Sequence, residues 1–453
     1  MKKQMKKFFN ISLLTIVALS TLSLSSCKNE IDDIFDEDAV TRLEKAKVEF
    51  SNILTDKGGK WQLEYYANGE EPGYIYLMTF SKDGSVTIAG NNKWINYIKT
   101  GSVSNTASYG SEVSMWEVIA DNGPVLSFNT YNKYFHIFAD PYDIPSMGGA
   151  TSDDDVNENG YGHEGDYEFD IMKYSGDTLY LTGKKYNLNM IMTRVDQTVD
   201  DEVYMNEVVA MADSFFNAKV PQVYINLPNG VRWIVKNGAT SILKMFREGA
   251  DEISTAETHN VIITHDGLSF MDPLTIDGYT IQNFTRQADG SLLCRDDNET
   301  TMTADPLAVV FNNTNLIWRT DFKDIAGRFA ELVAQLAEEL KDYNKSTLQY
   351  AQIDYDATNA VYRLSFNIKK STYKYNPTFF FTMQQVSDSQ VKLTVAAQGD
   401  KMGENYASKC PAIRSIVDEL GSATIDLTAN SLLAPVNMKT SVNGNNYIVW
   451  NLQ

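Results

Sequence analysis

The chain has 453 residues, 43% hydrophobic and 11% aromatic, enough apolar material for roughly two or three packed domains. Its 59 acidic residues outnumber 39 basic ones, giving a formal charge of −20. That balance argues against nucleic-acid backbones and anionic lipid headgroups as partners, because both require a positive footprint. Three cysteines are too few for a disulfide framework.

Lys2, Lys3, Lys6 and Lys7 open the chain, and a mostly apolar stretch follows from Phe8 to Leu24. A basic start and a short apolar core are the marks of an export signal, and the core is too short for a comfortable membrane span. The run Leu24-Ser25-Ser26-Cys27 resembles the bacterial lipobox. Residues 1–26 are therefore expected to be removed, leaving Cys27 lipidated and the protein held at the outer membrane by that lipid. Six acids, Glu30, Asp32, Asp33, Asp36, Glu37 and Asp38, fill a span of nine residues, so 27–38 reads as a solvated acidic tether. Acids close behind such a cysteine resemble the surface address of Bacteroidetes lipoproteins, which implies a protein facing the cell exterior. No later apolar run of about 18 residues occurs, so the rest is expected to be soluble.

A helix is predicted over 36–56, where Val40, Leu43, Ala46, Phe50 and Leu54 recur at three- and four-residue steps and Thr41 with Glu44 suits a capping box. Gly58-Gly59 ends it. The period then shortens to two: Trp61, Leu63 and Tyr65 alternate with polar residues, and 74–80 and 85–89 form a hairpin around Lys82-Asp83-Gly84. Further strands are predicted at 125–128, 133–138, 167–173, 177–182 and 188–194. Val203, Val208, Met211 and Phe215 restore the helical period over 200–217. Beyond it Val231–Val235 and Ser241–Phe246 flank Asn237-Gly238, the clearest hairpin in the chain. More strands follow up to Trp318. An apolar stripe of Ile325, Phe329, Leu332, Val333, Leu336 and Leu340 predicts a helix from Phe322 to Tyr343. Strands at 349–355, 361–369, 377–385 and 390–397, a helix near 405–420 and terminal strands complete the pattern. The fold expected is α+β, predominantly antiparallel β, in three modules. They are an N-terminal helix with a lipocalin-like half-barrel or sandwich (39–198), a second β-rich module with a linking helix (199–319), and a helix-plus-sheet module (320–453). Cys294 and Cys410, 116 residues apart, are expected to be separate buried thiols.

The order of several short runs is more specific. Gly59-Lys60-Trp61 leads into Leu63-Glu64-Tyr65-Tyr66, then come Gly73-Tyr74 and Phe80-Ser81-Lys82-Asp83-Gly84, and later Gly165-Asp166-Tyr167-Glu168-Phe169. Behind a lipobox, an acidic tether and a helix, this order resembles the Bacteroidetes lipoprotein family known as domain of unknown function 4302, best over about 40–195. The resemblance implies a surface accessory role beside outer-membrane nutrient-capture proteins, and carries over no catalytic residue. The long acidic loop before Gly165 departs from the family pattern.

No catalytic constellation emerges. His163-Glu164 lacks a second histidine four positions after the first, so the zinc-hydrolase signature fails. His259, His265 and Asp266 supply too few converging ligands for zinc. Ser241-Ile242-Leu243-Lys244 and Ser389-Gln390-Val391-Lys392 fit Ser-x-x-Lys, while Lys99-Thr100-Gly101 precedes both, the wrong order for penicillin-recognising enzymes. The acidic loop holds Asp155, Asn157, Asn159, Gly160 and Asp166 at positions one, three, five, six and twelve of an EF-hand-like loop, which suits a structural calcium and no other cofactor. A solvated loop explains it as well. Trp94 and Tyr97 lie in an Asn-rich stretch, as do Tyr131 and Tyr134. Rings beside amides suit a glycan or peptide ligand, and core packing is the competing reading. The function expected is a non-enzymatic binding component of a nutrient-capture system. An adaptor that holds partner proteins at the membrane is the alternative, and a hydrolase the third choice.

Overall fold

The computed structural model describes residues 38–453 except 70, 103, 141–162, 217–218, 220–221 and 238–241. Cys27 and nearly all of the acidic tether lie outside the described residues. The first helix, α1 (Ala39–Thr55), is capped by Asp38, the last acid of the predicted tether. Its carboxylate accepts from Thr41 N at 2.8 Å, so the cap is one turn earlier than the Thr41/Glu44 box. Phe50, Ile53 and Leu54 turn inward, and the Leu54 carbonyl accepts from the Trp61 indole at 2.9 Å.

Nine antiparallel strands follow: β1 (Lys60–Tyr65), β2 (Tyr74–Phe80), β3 (Ser85–Asn92), β4 (Ser108–Met115), β5 (Glu117–Ala120), β6 (Pro124–Ser127), β7 (Glu168–Ser175), β8 (Thr178–Gly183) and β9 (Asn189–Arg194). They pair in the order β4-β3-β2-β1-β9-β8-β7-β6-β5. The sheet's two outermost strands, β4 and β5, are separated in the chain by Trp116 alone. One bent strand thus pairs with β3 on one side of the corner and β6 on the other, and the sheet curls into a barrel-like shell. Trp116 fixes the bend: its amide donates to Gly84 O at 2.9 Å and its indole to Ser85 O at 3.0 Å.

Between β3 and β4 lies α2 (Lys93–Thr100), a helix the sequence pattern did not suggest. Segment 133–138, predicted as a strand, holds a 3-10 turn at His136–Phe138 instead. α3 (Asp201–Phe216) packs across β2 and β3 and reaches the next module, where Tyr204, Met205 and Val208 share a cluster with Ile75, Leu77 and Ile262.

Eight strands from Val223–Asn226 to Thr301–Ala304 form a closed antiparallel barrel, the first pairing with the last. Ile225, Leu243, Met245, Val261, Phe270, Phe284, Cys294 and Met302 fill its interior, as a barrel of this size requires. A third ring of strands closes where Trp318–Thr320 pairs with both Thr347–Asp356 and Tyr447–Leu452. Its apolar face packs on the helices Arg328–Asn344 and Pro411–Gly421. The first of these begins six residues later than predicted, because Ile325–Ala326 pairs as a strand with Tyr447–Ile448 and Gly327 turns the chain at φ 64°. The predicted helix near 405–420 is two helices that meet at Cys410 and Pro411. Cys294 and Cys410 are separate buried thiols, each pushed up to about 11 by burial.

Candidate functional site

The aromatic stretches fold inward. Asn92 caps α2, its side-chain oxygen accepting from Trp94 N at 3.0 Å and Ile95 N at 2.9 Å. This cap turns Trp94 into the shell, where it is 4% exposed and its indole donates to Tyr74 OH at 2.9 Å. Tyr97 is half-buried on the same core. Asn132 likewise accepts from Tyr134 N at 3.1 Å, and Tyr134 is 6% exposed. Of the four predicted ligand-binding rings only Tyr131, at 57%, is largely open to solvent. The reading of Trp94 and Tyr134 as stacking platforms is corrected on this point: the amides beside them satisfy backbone N–H groups and the rings fill the core.

Trp94 belongs to a buried polar network. His163, fully buried, hydrogen-bonds through Nδ1 to Glu71 Oε1, and Tyr74 OH donates to Glu71 Oε2 at 3.3 Å. The His163 ring meets Trp94 edge-on at 4.8 Å. Asn68 ties the loop together, its amide donating to the His163 carbonyl at 3.0 Å while its oxygen accepts from Glu71 N at 2.9 Å. Burial draws the Lys93 ammonium down, opposed by the charge of Glu71.

Asp155, Asn157 and Asn159 of the proposed calcium loop lie outside the described residues. Asp166 is buried and already engaged: its two oxygens accept from Lys185 N at 2.9 Å and Tyr186 N at 3.0 Å, holding the turn between β8 and β9. Burial, its largest influence, raises its carboxyl. Among the described residues no three His, Cys, Asp or Glu side chains are grouped to hold a metal ion. His259 and His265 turn to different partners, Glu257 at 3.5 Å and the ring of Tyr204 at 4.5 Å. Lys244, of the Ser-x-x-Lys run, pairs with Glu252 at 3.1 Å.

A cleft of about 560 Å³ opens where the loop at Gly69 meets the second barrel, lined by Thr258, His259, Asn260, Met271, Asp272 and Leu274 among others. Its origin is a break in the barrel wall. The strands Glu257–Ile263 and Gly267–Ile276 pair only from Val261↔Phe270 to Ile263↔Leu268, and the second also loses register with its other neighbour between Ser269 and Leu274. Pro273 lies in that interval and has no N–H to give a ladder. The Gln282 side-chain amide reaches the Phe270 and Met271 carbonyls at 3.3 and 3.4 Å in place of the missing backbone bonds. Asn260 anchors the opposite wall by donating to the Gly69 carbonyl. Burial lowers the His259 imidazole, which favours its neutral form, while Glu257 opposes the shift.

A buried polar row joins the first shell to the linking segment and α3. On the outward face of β1, Lys60 donates to the Val199 carbonyl at 2.5 Å and to Asp201 at 2.7 Å, and Gln62 accepts from Tyr204 OH at 2.6 Å. Glu64 completes the row. Burial pushes its carboxyl up to about 7, with Asp266 adding to the rise and Arg295 opposing it.

The family described as "Domain of unknown function (DUF4302)" matches residues 31–288, more than half of the chain. The chain belongs to the DUF4302 family. The match runs from before α1 into the second barrel, so both walls of the cleft fall within it. No curated protein matches this DUF4302 member. Two solved structures are similar over most of their length, the beta subunit of DNA polymerase from Streptococcus pyogenes and DNA polymerase III subunit beta from Borrelia burgdorferi. They are 10% and 9% identical, cover 90% and 91% of this chain and 97% and 96% of their own, and each has a TM-score of 0.12. A likeness of that size carries no argument about this DUF4302 member. Among its described residues no helix is long and apolar enough to cross a membrane.

Proposed function

We propose that this protein is a lipid-anchored, outward-facing accessory of an outer-membrane nutrient-capture system in a Bacteroidetes bacterium, and that it binds a glycan or a peptide without transforming it. The signal-like start, Cys27 and the acids behind it support the address. The observation that carries the binding reading is the cleft between Gly69 and the opened barrel wall. It sets hydrogen-bonding groups (Thr258, His259, Asn260, Asp272) beside apolar ones (Phe270, Met271, Leu274) in a concave site between two modules, the usual setting for a ligand.

The test uses the soluble chain from Lys28, screened on glycan and peptide arrays, with Met271→Ala and Asp272→Asn as cleft variants. Hits that weaken in both variants, with melting temperatures within about 2 °C of the parent, support the reading. Hits that both variants retain at full strength place the ligand elsewhere. A companion pull-down of the anchored protein from its own membranes is expected to recover a capture or transport protein.

A further inference from the structure

We propose that the cleft receives an extended peptide, which adds as a strand to the edge of Glu257–Ile263 and places a basic side chain against Asp272. The inference rests on the reading of the cleft as the binding site and names its ligand class. Backbone groups of a strand point alternately to its two sides. Thr264 N donates to Gly267 O, on the side of the neighbouring strand Gly267–Ile276, so Ile262, Asn260 and Thr258 point that way too. Val261 faces opposite, where its carbonyl accepts from Gly73 N at 3.1 Å. Pairing with Gly267–Ile276 stops at Val261↔Phe270. Thr258 and Asn260 therefore direct N–H and C=O groups into the gap, while Glu257–Asn260 remains in register with Ile242–Met245 on its other side. The vacated edge is four residues long, about 13 Å at the rise of a strand. It is a built half of a ladder with the other half missing, the arrangement that strand addition uses.

The charge of the site selects among peptides. Asp272 is exposed on the facing wall and takes part in no salt bridge among the described residues, whereas Glu257, at the start of the strand, lies 3.5 Å from the His259 imidazole. Lys244, on the far side of Thr258, is already paired with Glu252. The facing wall thus offers the Asp272 carboxylate to a cation, and Met271 and Leu274 offer apolar surface to the alternate side chains of the incoming strand.

The experiment uses three pools of capped seven-residue peptides, degenerate except for Lys, Gln or Glu fixed at the centre, passed over the immobilised chain from Lys28. The Lys pool is expected to be retained about threefold to fivefold over the Glu pool, the range of one exposed ion pair, and Asp272→Asn is expected to abolish the preference. Pools N-methylated at alternate amides are expected to lose retention. In hydrogen exchange the Thr258 and Asn260 amides are expected to slow by about tenfold or more when the Lys pool is bound. Thr258→Pro, which deletes one donor facing the gap, is expected to weaken retention, and Asp272→Asn keeps the test informative if that variant fails to fold. Equal retention of all pools, indifference to N-methylation, or unchanged exchange at both amides overturns strand addition. Glycan hits lost on cleft substitution, with no peptide retained, overturn the peptide alone and leave the binding site standing. Cleft variants silent toward every ligand class remove both.

Discussion

Glu64→Gln isolates the cost of burying a carboxyl on the outward face of β1. The Glu64 carboxyl is buried and raised from an ordinary 4.5 to about 7, while in the unfolded chain it returns to the ordinary value. Between those values the folded protein holds a proton that the unfolded chain has released, so this group makes stability fall as pH rises through the window. Below about 4.5 it costs nothing, and above about 7 the full penalty applies. At roughly 1.4 kcal/mol for each tenfold change in proton affinity, that difference between the folded and unfolded carboxyl corresponds to about 3 kcal/mol. The amide keeps the shape and cannot ionise. Urea unfolding of parent and variant from pH 4.5 to 8 therefore should show Glu64→Gln gaining stability relative to the parent as pH rises, by up to about 3 kcal/mol at pH 8. The difference between the two curves matters more than either alone, because burial lowers His136 and His259, and their contribution runs in the opposite sense. Parallel curves across the whole range would show that Glu64 titrates normally, with Arg295 compensating its burial, and would refute the argument.

Trp94→Ala is expected to cost about 3–5 kcal/mol, read as a large drop in melting temperature, because the ring is core. His163→Ala leaves the Glu71 carboxyl without its buried partner and is expected to cost about 3 kcal/mol. The double variant Glu71→Leu/His163→Leu should lose less than the sum of its single changes in denaturant titrations. Asp166→Ala releases two backbone N–H groups at the turn after β8 and is expected to cost about 1–3 kcal/mol by the same measurement. Cys294 and Cys410, both buried and raised to about 11, should react with a thiol reagent at pH 8 only as the protein unfolds, and reductant should leave the melting temperature unchanged.

Where apolar residues repeat, the sequence was a good guide. Trp61, Leu63 and Tyr65 alternate because one face of β1 meets the shell's core, and Phe329, Leu332, Leu336 and Leu340 mark a helix because that stripe meets the third ring. The misses have physical causes. β4 carries no apolar alternation: its inward positions include Gly110 and Ser114, and a side chain at Gly110 would come within 2.8 Å of Ile95 and 2.9 Å of Tyr134. α2 is short, and its signals are the Asn92 cap and Gly101 at φ 68°, the same amide-rich composition that suggests sugar contacts. The cleft was hidden for a related reason. Asp272-Pro273 breaks the strand Gly267–Ile276 in its middle, and neither the break nor Gly69, just over two hundred residues earlier in the chain, signals a cavity without the fold that brings them together.

The pairing of β1 with β9 sets the order of events when the chain is made. β1 pairs with both β2 and β9, so the shell begins with a strand whose second neighbour is not available until Arg194 has emerged. The hairpins β1–β2 and β3–β4 can assemble as they appear, but the seam between β1 and β9 must wait for a further stretch of roughly 130 residues, at a cost in loop closure. A chain that leaves a ribosome or a translocase N-terminus first thus carries an open, edge-bearing half-shell through most of that interval. During it the edge of β1 is the surface most exposed to mispairing, and Lys60, Gln62 and Glu64 on its outer face supply polar side chains that discourage a second copy from docking there.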